Sequence, residues 1–214
     1  MNDIRRAGGF TLAEVVVAAS VAVALLGFVL TIHGLGTRGF SRTNWHSSIN
    51  RQGNVAGAYL VEILESASAP SVVRADGTAV ASNVDAVKLP SGQLVSAGGT
   101  EKVLLTAPVS STCIPPGSGV TIWTDILLTP QANGLGALYS RQSRAEYGAG
   151  NFSSVTNPGN GPKKLLMNDV KSVSLTLEVQ QGLIIDVVAA FPPDQRLTQK
   201  FTVTARSNLP VKID

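Results

Sequence analysis

The stretch whose reading decides the fold is Phe10–His33, FTLAEVVVAASVAVALLGFVLTIH, which holds one carboxylate, Glu14, and no lysine or arginine. Wound as an α-helix at 1.5 Å per residue it is roughly 36 Å long, enough to cross the hydrocarbon layer of a bilayer. The run exceeds the apolar core of an ordinary secretory signal, about 7–15 residues, and no persuasive A-x-A site closes it. Arg5 and Arg6 precede it, so the positive-inside bias predicts a cytoplasmic N-terminus and translocation of everything after Gly36. An acid at the centre of a spanning helix costs about 2.5–3.5 kcal/mol on insertion scales. Glu14 is therefore a functional candidate, weighed against a hydrated glutamate at the membrane interface.

Downstream, Gly34, Gly36 and Gly39 predict a loosened joint or the membrane exit. Trp45, Ile49, Ala56, Leu60, Ile63 and Ala67 then recur at helical steps, alternating with Arg51, Asn54, Glu62 and Ser66, and Pro70 stops the pattern. From Val72 the period changes to two. In Lys171–Gln180, Val173, Leu175, Leu177 and Val179 point one way and the polar residues the other, which predicts a half-buried strand. Gln181-Gly182 turns into Leu183–Phe191, and Pro192-Pro193-Asp194 leads to a strand in which Phe201, Val203 and Ala205 alternate with Thr202, Thr204 and Arg206. These three segments predict an antiparallel meander. Earlier strands are expected at Val84–Leu89, Lys102–Ala107, Val120–Leu128 and Leu135–Gln142, with Ser143–Pro162 as a long exposed loop. The fold class is α+β: a long N-terminal helix, membrane-spanning in its first half, packed on an antiparallel β-sheet domain.

Composition narrows the function classes. The chain has 214 residues, 44% of them apolar, which supports a sizeable core, and the charged fraction of 14% is low for a soluble domain. A net charge of +3 without a basic run argues against nucleic-acid binding. The single cysteine, Cys113, excludes an internal disulfide and every paired-cysteine zinc or redox motif, and two histidines, His33 and His46, exclude a histidine-rich metal site. No cofactor motif occurs. Asp76, Asp85, Asp125, Glu146, Asp169 and Asp186 are spaced in no way that selects a catalytic pair. Asp76-Gly77 and Asn157–Asn160 read as turns, lacking the alternating oxygen ligands of a calcium loop. The chain is not expected to be an enzyme.

The string Arg6-Ala7-Gly8-Gly9-Phe10-Thr11-Leu12-Ala13-Glu14, followed at once by an apolar helix, resembles the type III signal of type IV pilins and type II secretion pseudopilins. The resemblance covers residues 5–14 and the helix after them. It implies a leader recognised through Arg5, Arg6, Gly8 and Gly9, cleavage between Gly9 and Phe10 by a prepilin peptidase, and N-methylation of the new Phe10 amine. For Glu14 it implies an assembly and register role, opposite the N-terminal ammonium of a neighbouring subunit. It further implies a division into leader (1–9), transmembrane and filament-core helix (10–36), amphipathic continuation (37–69) and β-rich globular domain (70–214). The late meander ending in Arg206-Ser207-Asn208 is similar to minor subunits of the J/W type, whose Arg-Asn pair is here interrupted by Ser207.

Two function classes follow. The first is a structural subunit of a pilus, secretion or DNA-uptake filament. Its partners are the peptidase and other pilin-like subunits, and it is held in the inner membrane before assembly. The second is a displayed β-domain that binds a surface, DNA or a secreted substrate, supported only by Tyr139, Tyr147 and Phe152 near the glycine-rich stretch. Asn151-Phe152-Ser153 matches a glycosylation triplet, which the prokaryotic character of the signal sets aside.

Overall fold

The computed structural model describes residues 11–67, 86–90, 94–113, 119–148, 151–152, 161–178 and 182–213. Two compact units are present, Met1–Trp45 and His46–Asp214. The helix α1 runs from Leu12 to Ser66. In the first unit it passes through Gly34, Gly36 and Gly39 without interruption, so the joint expected at these glycines is not formed. Each glycine costs about 1 kcal/mol relative to alanine, but propagation from an existing helix needs no new nucleus. Thr37 and Thr43 also donate their hydroxyls to the carbonyls of Gly34 and Gly39, both at 3.1 Å. Pro70 lies outside the described residues, and the helix ends before it.

Among the described residues the second unit joins the end of α1 to ten strands. They are β1 (Val87–Leu89), β2 (Leu94–Ser96), β3 (Lys102–Cys113), β4 (Gly119–Pro130), β5 (Gly136–Gly148), β6 (Asn151–Phe152), β7 (Lys163–Leu177), β8 (Gly182–Phe191), β9 (Asp194–Arg206) and β10 (Val211–Ile213). The sheet order is β10-β1-β3-β4-β5-β7-β8-β9, with β2 on β7 and β6 on β5. All described pairs are antiparallel except β1 with β10. The expected meander is β7-β8-β9, in register from Leu177↔Leu183 and Gly182↔Arg206.

The order forces the sheet to curl. Seven inter-strand gaps at about 4.8 Å would separate β9 from β10 by roughly 33 Å in a flat sheet. The connection from Arg206 to Val211 reaches at most about 18 Å fully extended. The edges must therefore approach each other, and the connection crosses the end of the helix: Asn208 donates its side-chain amide to the Glu65 carbonyl, one of the unpaired acceptors of the last turn.

Period-two burial in β9 follows the sequence pattern, with Thr202, Thr204 and Arg206 exposed and Ala205 buried. Phe201 and Val203 meet α1 at Gly53 and Gly57. A Cβ on Gly53 would lie 2.4 Å from the Phe201 ring, and one on Gly57 would lie 3.2 Å from a Val203 methyl. Four helical residues rise about 6 Å and two strand residues about 6.6 Å, so helix and strand run alongside each other here. Ile49, Leu60, Ile63 and Leu64 complete the buried helix face, and Gln52 accepts the Asn168 backbone N–H at 2.8 Å.

Three expectations are corrected. Ser143–Pro162 is not all loop, since β5 continues to Gly148 and β6 pairs back on it. The segment lacks apolar alternation, yet its backbone completes the ladder opposite Gly119–Trp123. β3 extends past Ala107 to Cys113, because a bulge between Pro108 and Ser110 accommodates the missing proline N–H. β7 begins at Lys163 and ends at Leu177, shifted from the expected Lys171–Gln180; a register irregularity between Val170 and Ser172, next to Asp169 at φ 56°, splits it into two apolar patterns.

Candidate functional site: the start of the helix

Thr11 is the N-cap of α1. Its carbonyl accepts the first helical bond, from Val15 N at 3.2 Å, and its hydroxyl accepts the Glu14 N–H at 3.3 Å. Glu14 reaches back: its Oε2 accepts from Thr11 N at 2.9 Å and from the Thr11 hydroxyl at 3.0 Å. This is a reciprocal capping box, and the negative charge lies in the first turn, where the helix dipole favours it. The sequence reading singled out Glu14 and missed Thr11, although Thr-x-x-Glu before an apolar run is the signature of such a box. Arg5, Arg6, Gly8, Gly9 and Phe10 lie outside the described residues.

Behind the cap, the apolar half of α1 is bare. None of its most apolar eighteen-residue stretch is buried, and Val16, Leu26, Phe28 and Leu30 are each about 60% exposed. Among the described residues one helix is thus long and apolar enough to cross a membrane.

The β unit holds a polar row that the sequence reading did not assemble. Lys88, Thr106, Asp125, Arg141 and Lys163 are successive register partners on β1, β3, β4, β5 and β7. Asp125, 4% exposed, accepts from the Thr106 hydroxyl at 2.9 Å and from Arg141 Nη2 at 3.0 Å. Glu101 joins the row from the segment before β3: it pairs with Lys163, accepts the Thr129 hydroxyl at 2.7 Å, and lies 3.8 Å from Arg141. The Lys163 hydrogen bond, helped by Thr129, holds the Glu101 carboxyl below the usual range. On β8, the Thr202 hydroxyl at 2.6 Å and Lys200 at 2.9 Å likewise lower Asp186. Each of these carboxylates is occupied by donors from other strands, an arrangement that ties strands together.

The other residues singled out by sequence do not converge. Tyr139 is half-buried, and the side chains of Tyr147, Phe152, Cys113 and Glu146 lie outside the description, as do Asp76 and Asp85 entirely. Among the described residues no cluster of histidine, cysteine and carboxylate side chains could hold a metal. The apolar cavity ringed by Leu60, Leu104, Ile126, Val173 and Ile185 is about 10 Å³, space for a single water and no ligand. No family model, no curated protein and no solved structure matches the chain.

Proposed function

We propose that this protein is a structural subunit of a type IV pilin-like filament, anchored in the inner membrane by α1, cleaved after Gly9 and assembled through the apolar half of the helix. The observation that carries this reading is the placement of the Gly-Gly-Phe-Thr-Leu-Ala-Glu string at the start of a helix whose apolar stretch is wholly exposed, ahead of an α+β unit. A cut between Gly9 and Phe10 leaves every atom of the capping box in place, because the box uses only Thr11 and Glu14. The new Phe10 ammonium belongs to the residue four positions before Glu14 in the sequence. In a low-dielectric bundle of helices, a carboxylate of one subunit facing the ammonium of the next offsets the cost of burying either alone.

The capping box sharpens the test. Glutamine at the third helical position still closes a box, whereas alanine does not. Glu14→Gln separates the charge from the cap, and Glu14→Ala removes both. Membrane level, leader removal and recovery in sheared filaments are compared for wild type and both variants. The proposal expects normal insertion and both variants depleted from filaments. Glutamine supporting normal recovery would reduce Glu14 to a helix cap and remove its register role. Gly9 replaced by a bulky residue is expected to leave an unprocessed precursor in the membrane.

A further inference from the structure

The strand β9 ends the sheet with one side open. Among the described residues it pairs with β8 alone, and β10, to which the chain crosses after Arg206, pairs with β1. In an antiparallel pair every second residue turns its N–H and C=O away from the partner, so the outer edge of this 13-residue strand presents a row of donors and acceptors. Its side chains alternate as well. Arg196, Thr198, Lys200, Thr202, Thr204 and Arg206 are exposed, while Leu197, Gln199, Phe201 and Val203 are half-buried and Ala205 is buried. The exposed face thus carries three cations and no acid. Lys200 pairs with Asp186 at 2.9 Å, and among the described residues Arg196 and Arg206 make no ion pair. The helix flanks this edge where Gly53 and Gly57 meet Phe201 and Val203. To one side of that line Ala56 and Ile63 are buried in the core. To the other, about 60–100° round the helix from Gly53, Asn50 and Asn54 are exposed and Val61 is half-buried.

We propose that the outer edge of β9 is a docking site for an extended acidic segment of another protein, which adds to the sheet as one more antiparallel strand. Main-chain hydrogen bonds to the open edge supply affinity, and the side chains on the two faces supply specificity. On the exposed face, acids opposite Arg196, Lys200 and Arg206 form cross-strand pairs of opposite charge. On the other face, small apolar residues continue the row of Phe201 and Val203 beside Val61. A segment in which acidic or polar residues alternate with apolar ones fits both. A second copy of the chain fits poorly, because each β9 brings three cations to one acid, Asp194. Full antiparallel overlap sets Lys200 against Lys200, and parallel overlap in register sets every cation against its like. Cations on an edge guard it against copies of itself, and the same charges select an acidic partner. This edge uses neither Glu14 nor the apolar half of α1, so it stands apart from filament assembly.

The test uses the full chain in non-ionic detergent and a fluorescent peptide, EVTVTVEVTVE, capped at both ends. Added antiparallel, its three glutamates stand opposite Arg206, Lys200 and Arg196. Fluorescence anisotropy is expected to show saturable binding, weakened about ten- to thirty-fold by Arg196→Glu together with Arg206→Glu, the effect of two exposed pairs turned from attraction to repulsion. The same double variant is expected to bind the peptide with lysine in place of each glutamate, which also shows that it is folded. Register is read by disulfide formation in a Cys113→Ser background. Cysteine at the third peptide position is expected to crosslink to Thr204→Cys and not to Thr198→Cys, and cysteine at the ninth position the reverse. Absence of binding, equal binding of the acidic and lysine peptides to the wild-type chain, or crosslinking indifferent to position would overturn the proposal. The swapped crosslinking pattern would show a parallel strand and overturn the antiparallel register. Crosslinking of Lys200→Cys chains to each other would place a second copy on the edge and overturn the acidic partner.

Discussion

Alanine at Gly53 probes the closest approach of α1 to the sheet. The added Cβ would sit 2.4, 2.5 and 2.8 Å from three carbons of the Phe201 ring. Carbon pairs rest at about 3.5–4.0 Å, so helix or ring must move by about 1 Å. Overpacking of this kind costs about 1–3 kcal/mol, while the better helix propensity of alanine returns about 1 kcal/mol. The expected net effect is a destabilisation of about 1–2 kcal/mol, or about 2–8 °C in melting temperature for a chain of this size. Gly57 is the internal control. Its Cβ would lie 3.2 Å from one Val203 methyl, which yields by a few tenths of an ångström, so the propensity gain decides the sign. Gly57→Ala is expected to be neutral or stabilising by up to about 1 kcal/mol. The assay is thermal unfolding of the detergent-solubilised chain followed by circular dichroism, with Phe201→Leu added to Gly53→Ala. Removing the ring should recover much of the Gly53→Ala loss, a coupling that a double-mutant cycle measures. Gly53→Ala as stable as Gly57→Ala, or no coupling to Phe201, would refute the close approach.

Further outcomes follow from the polar groups. Asp125→Ala is expected to cost about 3 kcal/mol in urea unfolding, because it removes the hydrogen-bonded carboxylate from the largely buried Arg141 guanidinium, whereas Asp125→Asn, which keeps one acceptor, should cost less. Asn208→Ala removes the donor to the Glu65 carbonyl and should cost about 1 kcal/mol, with amide exchange faster in the last turn of α1. Glu101 and Asp186 have lowered folded values, so the stability they contribute is complete above their ordinary range near pH 4 and is lost as pH falls through the lowered values. Urea midpoints between roughly pH 3 and 6 should decline on acidification, and less steeply once Thr202→Val removes the hydroxyl that lowers Asp186.

What the sequence disclosed depended on the length of each signal. The apolar run after Phe10 and the alternation of Val173 and Leu175 needed no tertiary information, and both elements are present. Three-residue strands such as Leu94–Ser96 and Val211–Ile213 are too short to show a period, and only the sheet edge or partner they reach makes them strands. Ser143–Tyr147 looked like loop because its residues are polar, while its pairing is set by β4 across the ladder. Gly53 and Gly57 read locally as weak helix positions; their reason lies in Phe201 and Val203, far along the chain. The row from Thr106 to Lys163 is likewise invisible in one dimension, since its members meet only through register. Thr11 is legible three residues before Glu14, since Thr-x-x-Glu ahead of an apolar run is the pattern of a capping box.

The proposed filament role is tested most directly by the N-terminus of the protein recovered from host membranes, read by sequencing and intact mass. The account predicts a chain beginning at Phe10 and heavier by one methyl group, with Thr11 and Glu14 retained at its head. A mature terminus beyond Gly36, which removes the apolar helix, would contradict it.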